Sequence, residues 1–394
     1  MFGALSMDES LKKLLPVYAL VFLRALSLSL TVTGPIMPLY VRSLGISISQ
    51  WSYLATSFAI GLISFEAFWG SMSDRLNRIR ILVISMVLMS VVLPLYTFPG
   101  LLPYFFIFQF LIGAFFVMVG PTTRAIIADW SPDDRLGFNM SLWSTCFAVG
   151  GISGPVLGGL IARNFGYPAA FYASTAILLL GAVMMFFTGK DGDGKKRSNG
   201  GISELKNSFT SIMSYPRIRT TFLTAFLMFF GSSTIRSFIP IYASELYGMD
   251  EVSIGLMLTI GTTLQLFGTP IIGRLSDQIN PKRILTFLLA SSGLLFLTYG
   301  FAKTPLQLTI ITSLVILTFI SSSVSLILLT RLAERETLGM TIGLYGSFED
   351  LGLVVGPLVY GFVWDSFGPE YLFPVSAAAL FIAIFSVSAV KIED

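Results

Sequence analysis

Five ionisable residues stand inside long apolar runs: Arg24, Glu66, Arg236, Glu349 and Asp350. A charge at the centre of a bilayer costs about 3 kcal/mol or more, so a residue of this kind usually has a function. Carboxylates in that setting can take up and release a proton. Guanidiniums can bind an anion or hold a carboxylate. The chain contains no histidine, so any proton carried through it must ride on Asp or Glu. That absence also excludes His-based zinc and haem sites, Ser-His hydrolysis and acyl transfer by a histidine base. No phosphate-cradling loop with a lysine occurs, so ATP hydrolysis is not expected. The chain does not read as an enzyme, and no metal, organic cofactor or nucleic-acid partner is expected. The lone Cys146 lies in an apolar run and reads as a filler residue. A plainer reading of the charges is a set of Arg–carboxylate pairs that only hold helices together, with Glu66 near enough to an edge to reach water.

Spacing adds neighbours to these charges. Arg24 continues into Ser27, Thr31, Gly34 and Pro38 on one helical face, a small and polar stripe suited to a watery cavity. Gln109, Met118, Tyr345 and Phe348 are further candidates for a cavity lining with Arg24, Thr31 and Arg236. Against this, Met and aromatic residues in a chain with 35 phenylalanines often serve as core or lipid-facing surface. Glu349 and Asp350 are adjacent and diverge by about 100° on a helix, so one faces a cavity and the other a neighbouring helix. Glu349, Asp350 and Glu66 are the proton-coupling candidates. Trp51 falls near a span end and is expected to anchor at the membrane interface.

The elements that position these residues are membrane spans. The chain is 54% hydrophobic and 12% charged, against roughly 25% charged in soluble domains. Apolar stretches of about 20 residues, enough for ~30 Å of hydrocarbon, fall at 14–41, 49–71, 80–99, 103–128, 136–163, 168–188, 219–243, 252–272, 284–302, 305–330, 339–363 and 370–390. They are too long for barrel strands, so the expectation is an all-α membrane protein of twelve helices. The first span carries no cleavage pattern and is a retained helix. With twelve spans, twenty basic residues fall on one side and only Arg42, Arg163 and Lys303 on the other. Both termini are therefore expected in the cytoplasm, with the chain a multi-pass protein of the plasma membrane.

The spans form two copies of one unit. Gly70-Ser-Met-Ser-Asp74-Arg75 returns as Gly273-Arg-Leu-Ser-Asp277-Gln278, with the aspartates 203 positions apart. Gly154-Pro155 and Gly356-Pro357 are 202 apart, as are Asn164-Phe-Gly166 and Ser366-Phe-Gly368, and Thr123-Arg124 matches Thr330-Arg331. Residues 1–188 and 217–394 are thus expected to be six-helix bundles, parallel repeats about an axis along the membrane normal. Between them, 189–216 reads as a polar cytoplasmic linker carrying a surface helix.

These residues resemble the major facilitator superfamily over nearly the whole chain. The loop after the second span is similar to that family's motif A, full in the first copy and weakened in the second. Gly150-Gly151-Ile-Ser-Gly154-Pro155-Val-Leu-Gly158-Gly159 resembles motif C of its antiporters, and Pro35-Ile-Met-Pro38 the paired prolines of its twelve-span drug:proton antiporters. One departure stands out: motif B carries an arginine four residues before a glycine, where this chain has Gln109 before Gly113.

The resemblance implies a secondary active transporter working by alternating access. The leading expectation is proton-coupled export of small amphipathic or hydrophobic compounds. The alternative is a carrier of sugars, organic acids or other anionic metabolites, with Arg24 and Arg236 binding substrate. Gly70, Asp74, Arg75, Arg78, Asp129 and Asp277 would form a cytoplasmic latch, against the plainer reading of a positive-inside loop. Gly150, Gly154, Pro155, Gly158, Gly159, Gly356 and Pro357 would let bent helices pack closely. Expected partners are a small-molecule substrate, protons and membrane lipids, with the chain working as a monomer.

Overall fold

The computed structural model describes residues 9–72, 76–132, 135–189, 212–334 and 337–388. The first repeat contains α1 (Glu9–Leu30), α2 (Ile36–Ser43), α3 (Ile48–Met72), α4 (Arg78–Val92), α5 (Phe105–Trp130), α6 (Leu136–Phe165) and α7 (Tyr167–Thr188). The second contains α8 (Pro216–Ser237), α9 (Ile239–Tyr247), α10 (Glu251–Gln278), α11 (Pro281–Leu297), α12 (Pro305–Thr318), α13 (Ser321–Leu332), α14 (Leu338–Phe367) and α15 (Leu372–Ser388). Among the described residues, 11 helices are long and apolar enough to cross a membrane. α3, 25 residues long, supplies the twelfth span. The fold is all-α, twelve spans in two six-helix repeats.

Three spans are built from two helices each. α1 breaks at Gly34-Pro35 before α2, because proline has no N–H to continue the ladder. α8 gives way to α9 at Phe238, just before Pro240, and α12 to α13 at residues 319–320. Other boundaries repeat their chemistry. Asn77 accepts from the Arg80 N–H at the start of α4, and Asn280 from the Lys282 N–H at the start of α11. Gly166 (φ 82°) ends α6 and Gly368 (φ 112°) ends α14, both in the left-handed range that favours glycine. The duplication seen in the sequence is therefore a duplication of helix caps. The linker expected at 189–216 lies outside the described residues over 190–211.

Two compact units emerge: Met1–Met37 with Ile60–Ser198, and Pro38–Ala59 with Asn199–Asp394. The second thus takes most of α2 and the first half of α3 from the first repeat. Polar contacts hold that segment. Arg42 in α2 reaches Glu245 of α9 at 2.6 Å and donates to the Ile46 carbonyl at 2.6 Å. The Trp51 indole N–H donates to the Ser237 carbonyl at 2.8 Å, and Thr56 to the Val354 carbonyl at 3.2 Å. Ser49 donates to Asp365. Gly361 of α14 lies so close to Ser52 that a Cβ there would overlap the hydroxyl. Trp51 is 4% exposed: its N–H closes α8 where an interfacial anchor was expected.

Arg42 and Glu245 side chains are 29% and 37% exposed, so water screens their attraction and the pair is worth about 0–1 kcal/mol. Arg42→Glu is expected to lower the thermal midpoint in detergent by a few degrees at most. Adding Glu245→Arg should recover it. A double variant no better than the single would mean the pair contributes nothing to this clamp.

Candidate functional site

In the first unit the site begins with Arg24, in the middle of α1 and 2% exposed. Its Nη2 donates to the Phe116 carbonyl of α5 at 2.5 Å, and its guanidinium carbon stands 3.9 Å from the Phe116 ring centre. A cation over a desolvated ring face gains about 2 kcal/mol, so ring and carbonyl together offset part of the burial. The Nε has no hydrogen-bond partner. Gln109, two turns away on α5 and 1% exposed, has an equally unpartnered Oε1. Met118 is buried nearby on α5.

Thr31, expected beside Arg24 on a wet stripe, is fully buried between α1 and α7. Its hydroxyl meets that of Ser174 at 3.2 Å, while Ser27 and Ser174 each donate to the other's carbonyl at 2.9 Å. These hydroxyls satisfy one another across a helix pair. Glu66, in contrast, is exposed on α3, within electrostatic reach of Arg124 on α5.

Of the latch residues, Asp74 and Arg75 lie outside the described residues. Gly70 is in the last turns of α3, and Asp277 is in the last turn of α10. Arg78, first residue of α4, reaches Asp129 near the end of α5 at 2.5 Å. In the other unit the Arg331 guanidinium, at the end of α13, donates to the Ser276 carbonyl at 3.0 Å. Each repeat thus ties the end of its fourth span to the region where its second span ends, by an arginine and through different residues.

The second unit carries the carboxylates. Glu349 and Asp350, both half-buried on α14, act electrostatically on Arg236 in the last turn of α8. Arg236 is exposed although it belongs to an apolar span; a guanidinium there requires water or a counter-charge. Tyr345, one turn before Glu349, is 2% exposed and packed among Ile218, Phe222 and Leu329. Its hydroxyl stands beside Ser325 and the Glu349 carboxylate without a well-formed hydrogen bond. Phe348 stacks on Phe222 at 5.1 Å. Arg236, Glu349, Asp350 and Tyr345 therefore come together, whereas Phe348 belongs to the packing around them. At the start of α8, the Tyr215 hydroxyl donates to Glu334 at 2.9 Å, and the carboxylate pushes the phenol above its ordinary range.

The glycine motif has a direct geometric role. Gly150, Gly154 and Gly158 of α6 lie against α1, where a Cβ would overlap backbone at Phe22, Ser29 and Leu30. Gly352 and Gly356 of α14 lie likewise against α8 at Phe226, Phe230 and Ser233. Pro155 and Pro357 are buried in the middle of these helices, and Gly159 is buried beside them.

The Major Facilitator Superfamily model matches residues 17–330 and again 221–393. The chain belongs to the Major Facilitator Superfamily. Among curated relatives, Multidrug resistance protein MdtG of Yersinia enterocolitica is 30% identical over 368 residues, 89% of this chain and 87% of the relative. MdtG of Escherichia coli strain 55989 is 27% identical over 385 residues, covering 94% and 92%. Among solved structures, the nucleoside transporter NupG superposes with a TM-score of 0.77 at 14% identity, covering 95% of this chain and 98% of the other. A D-xylose–proton symporter gives 0.75 at 17%, covering 94% and 96%. At these identities the superpositions establish the fold alone. This member of the superfamily is a multi-pass membrane protein and a transporter of small molecules.

Two residues escaped the sequence reading. Arg124 counted there as one more cytoplasmic charge, and Trp143 drew no notice. The guanidinium of Arg124 lies over the Trp143 indole at 5.0 Å, and the indole N–H donates to Thr123 at 2.9 Å. The usable signal was Gly120, one turn before Arg124: a helical side chain leans toward its own N-terminus, and glycine leaves that path open.

Proposed function

We propose that this chain is a proton-driven exporter of small amphipathic or hydrophobic compounds, working by alternating access. One observation carries the reading: Arg236, Glu349 and Asp350 gather inside one unit of a histidine-free transporter, a setting where carboxylates are the available proton carriers. The similarity to relatives named multidrug resistance proteins supports export. The glycines of α6 and α14 support a machine of closely packed helices. In this reading both termini face the cytoplasm, the membrane is the plasma membrane, and the working unit is a monomer. Residues 1–188 and 217–394 are its two bundles, with 189–216 as the link. Asp74, Arg75 and the Arg78–Asp129 pair belong to the cytoplasmic latch.

A second reading, a carrier of anionic metabolites, draws on Arg24, whose buried guanidinium meets a carbonyl and a ring.

Vesicles containing the purified protein, loaded with a fluorescent amphipathic dye, test both. An imposed proton gradient should drive dye movement that a protonophore abolishes. Movement at the same rate with and without the gradient would overturn proton coupling. Transport restricted to hydrophilic anions would favour the second reading.

A further inference from the structure

We propose that Arg124 and Trp143 form a subsite that selects planar aromatic compounds bearing an anionic group; this rests on the export reading above and names its substrate class. Arg124 is exposed within the span formed by α5, within electrostatic reach of the exposed Glu66. Water reaches it there, because lipid would not tolerate the charge. Its side chain runs toward the membrane middle. A Cβ built on Gly120 would stand 3.4 Å from its Nη2, and the charge falls within electrostatic reach of buried Arg24.

The repeat supplies the comparison. Thr330-Arg331 is the second copy of Thr123-Arg124, and Ile327 occupies the place of Gly120. With that path filled, Arg331 turns to the Ser276 carbonyl and closes a helix end. Arg124 makes no such closure: its described partner is the face of an indole.

Charge and shape then state the ligand. Two guanidiniums, buried Arg24 and exposed Arg124, lie within electrostatic reach of each other, with Glu66 as the described carboxylate acting on Arg124. Among the described residues, no carboxylate is within ion-pair distance of Arg124. An excess of positive over negative charge in a cleft attracts an anion. A guanidinium also presents parallel donors to a carboxylate, sulfonate or phosphate. Trp143 stacks on Phe147 with centroids 5.9 Å apart and planes at 6°, and Phe147 is 38% exposed. The pair forms a flat aromatic shelf beside the cation. In the second repeat the equivalent positions are Tyr345 and Glu349, 202 residues on, so the shelf belongs to the first unit alone.

Three probes of one shape isolate charge: 2-naphthalenesulfonate, 2-naphthol and trimethyl(2-naphthyl)ammonium, measured by equilibrium dialysis on the detergent-purified full chain. The wild type should bind the sulfonate about tenfold or more tighter than the ammonium, the scale of a charged hydrogen-bonded contact. Arg124→Gln should erase that preference. Gly120→Ile should erase it too with Arg124 retained, which keeps the test open if Arg124→Gln does not fold. Trp143→Leu should weaken all three probes together. A wild type that prefers the ammonium would assign recognition to Glu66 and overturn the proposal, as would an unchanged ratio in both Arg124→Gln and Gly120→Ile. Efflux from vesicles separates the two readings. Selective binding with no transport of any probe defeats the export reading and leaves the subsite standing. Transport whose selectivity ignores Arg124→Gln defeats the subsite alone.

Discussion

Gly154→Val is expected to abolish accumulation of folded protein, while Gly151→Ala, three residues away on the same helix, should be neutral or slightly stabilising. A Cβ at Gly154 would overlap Ser29 and the Leu30 amide of α1, whereas nothing stands within 4 Å of one at Gly151. Overpacking a well-filled site costs about 1–3 kcal/mol when side chains yield. Here the obstacle is largely backbone, so α1 and α6 must move apart. Their separation would also strip the Ser29 hydroxyl from the Gly150 carbonyl, 3.1 Å away. Gly151→Ala removes instead the entropy cost of a helical glycine, about 0.5–1 kcal/mol. Gly356→Val should repeat the loss in the second unit, since Ser233 and the Phe230 carbonyl occupy the matching place on α8. Fluorescence-detected gel filtration and thermal melts in detergent measure all three. Wild-type yield and melting for Gly154→Val would mean that the motif is not a packing device.

The spans and their duplication were legible because bilayer thickness and repeated loops write themselves into local sequence. Positions such as Gly166 and Gly368 announce the same helix end twice. The Gly-Pro elements were legible for the same reason, as local patterns with a steric cause. What remained unreadable were contacts between residues far apart in sequence. The apolar run around Arg24 tells that its charge is costly, but the ring and carbonyl of Phe116 that receive it are 92 positions away. Thr31 shared a helical face with Arg24, yet a face reports spacing and not what covers it: α7 does. Trp51 matched the composition of an interfacial anchor, but its indole N–H found a free carbonyl where α8 ends. Arg124 was lost in a count of cytoplasmic charge because counting registers sign and not direction. The direction was set by the absence of a side chain at Gly120, visible only when the two copies are compared.

Glu349→Gln is expected to remove the dependence of transport on the proton gradient, and Asp350→Asn to weaken transport while leaving that dependence in place. Both carboxylates act on Arg236, so the guanidinium keeps one counter-charge in either single variant. They differ in what else they meet. Glu349 follows Tyr345 by one helical turn and shares its face, with Gly352 and Gly356 continuing toward α8. In the export reading its carboxyl group carries the proton, beside the Tyr345 hydroxyl. Asp350, rotated by about 100°, is in that reading the carboxylate left to Arg236, on which Glu349 also acts. Removing both carboxylates leaves the exposed Arg236 without either counter-charge in an apolar span, where the guanidinium then depends on water alone. The double variant should therefore be less stable than either single one. Dye efflux with and without an imposed pH gradient, for wild type and both single variants, gives the measurement. A Glu349→Gln protein that still concentrates dye with the gradient would shift the proton to Asp350. Accumulation that survives each substitution alone, with a double variant that remains folded and active, would take α14 out of the proton path and leave Glu66 as its described candidate.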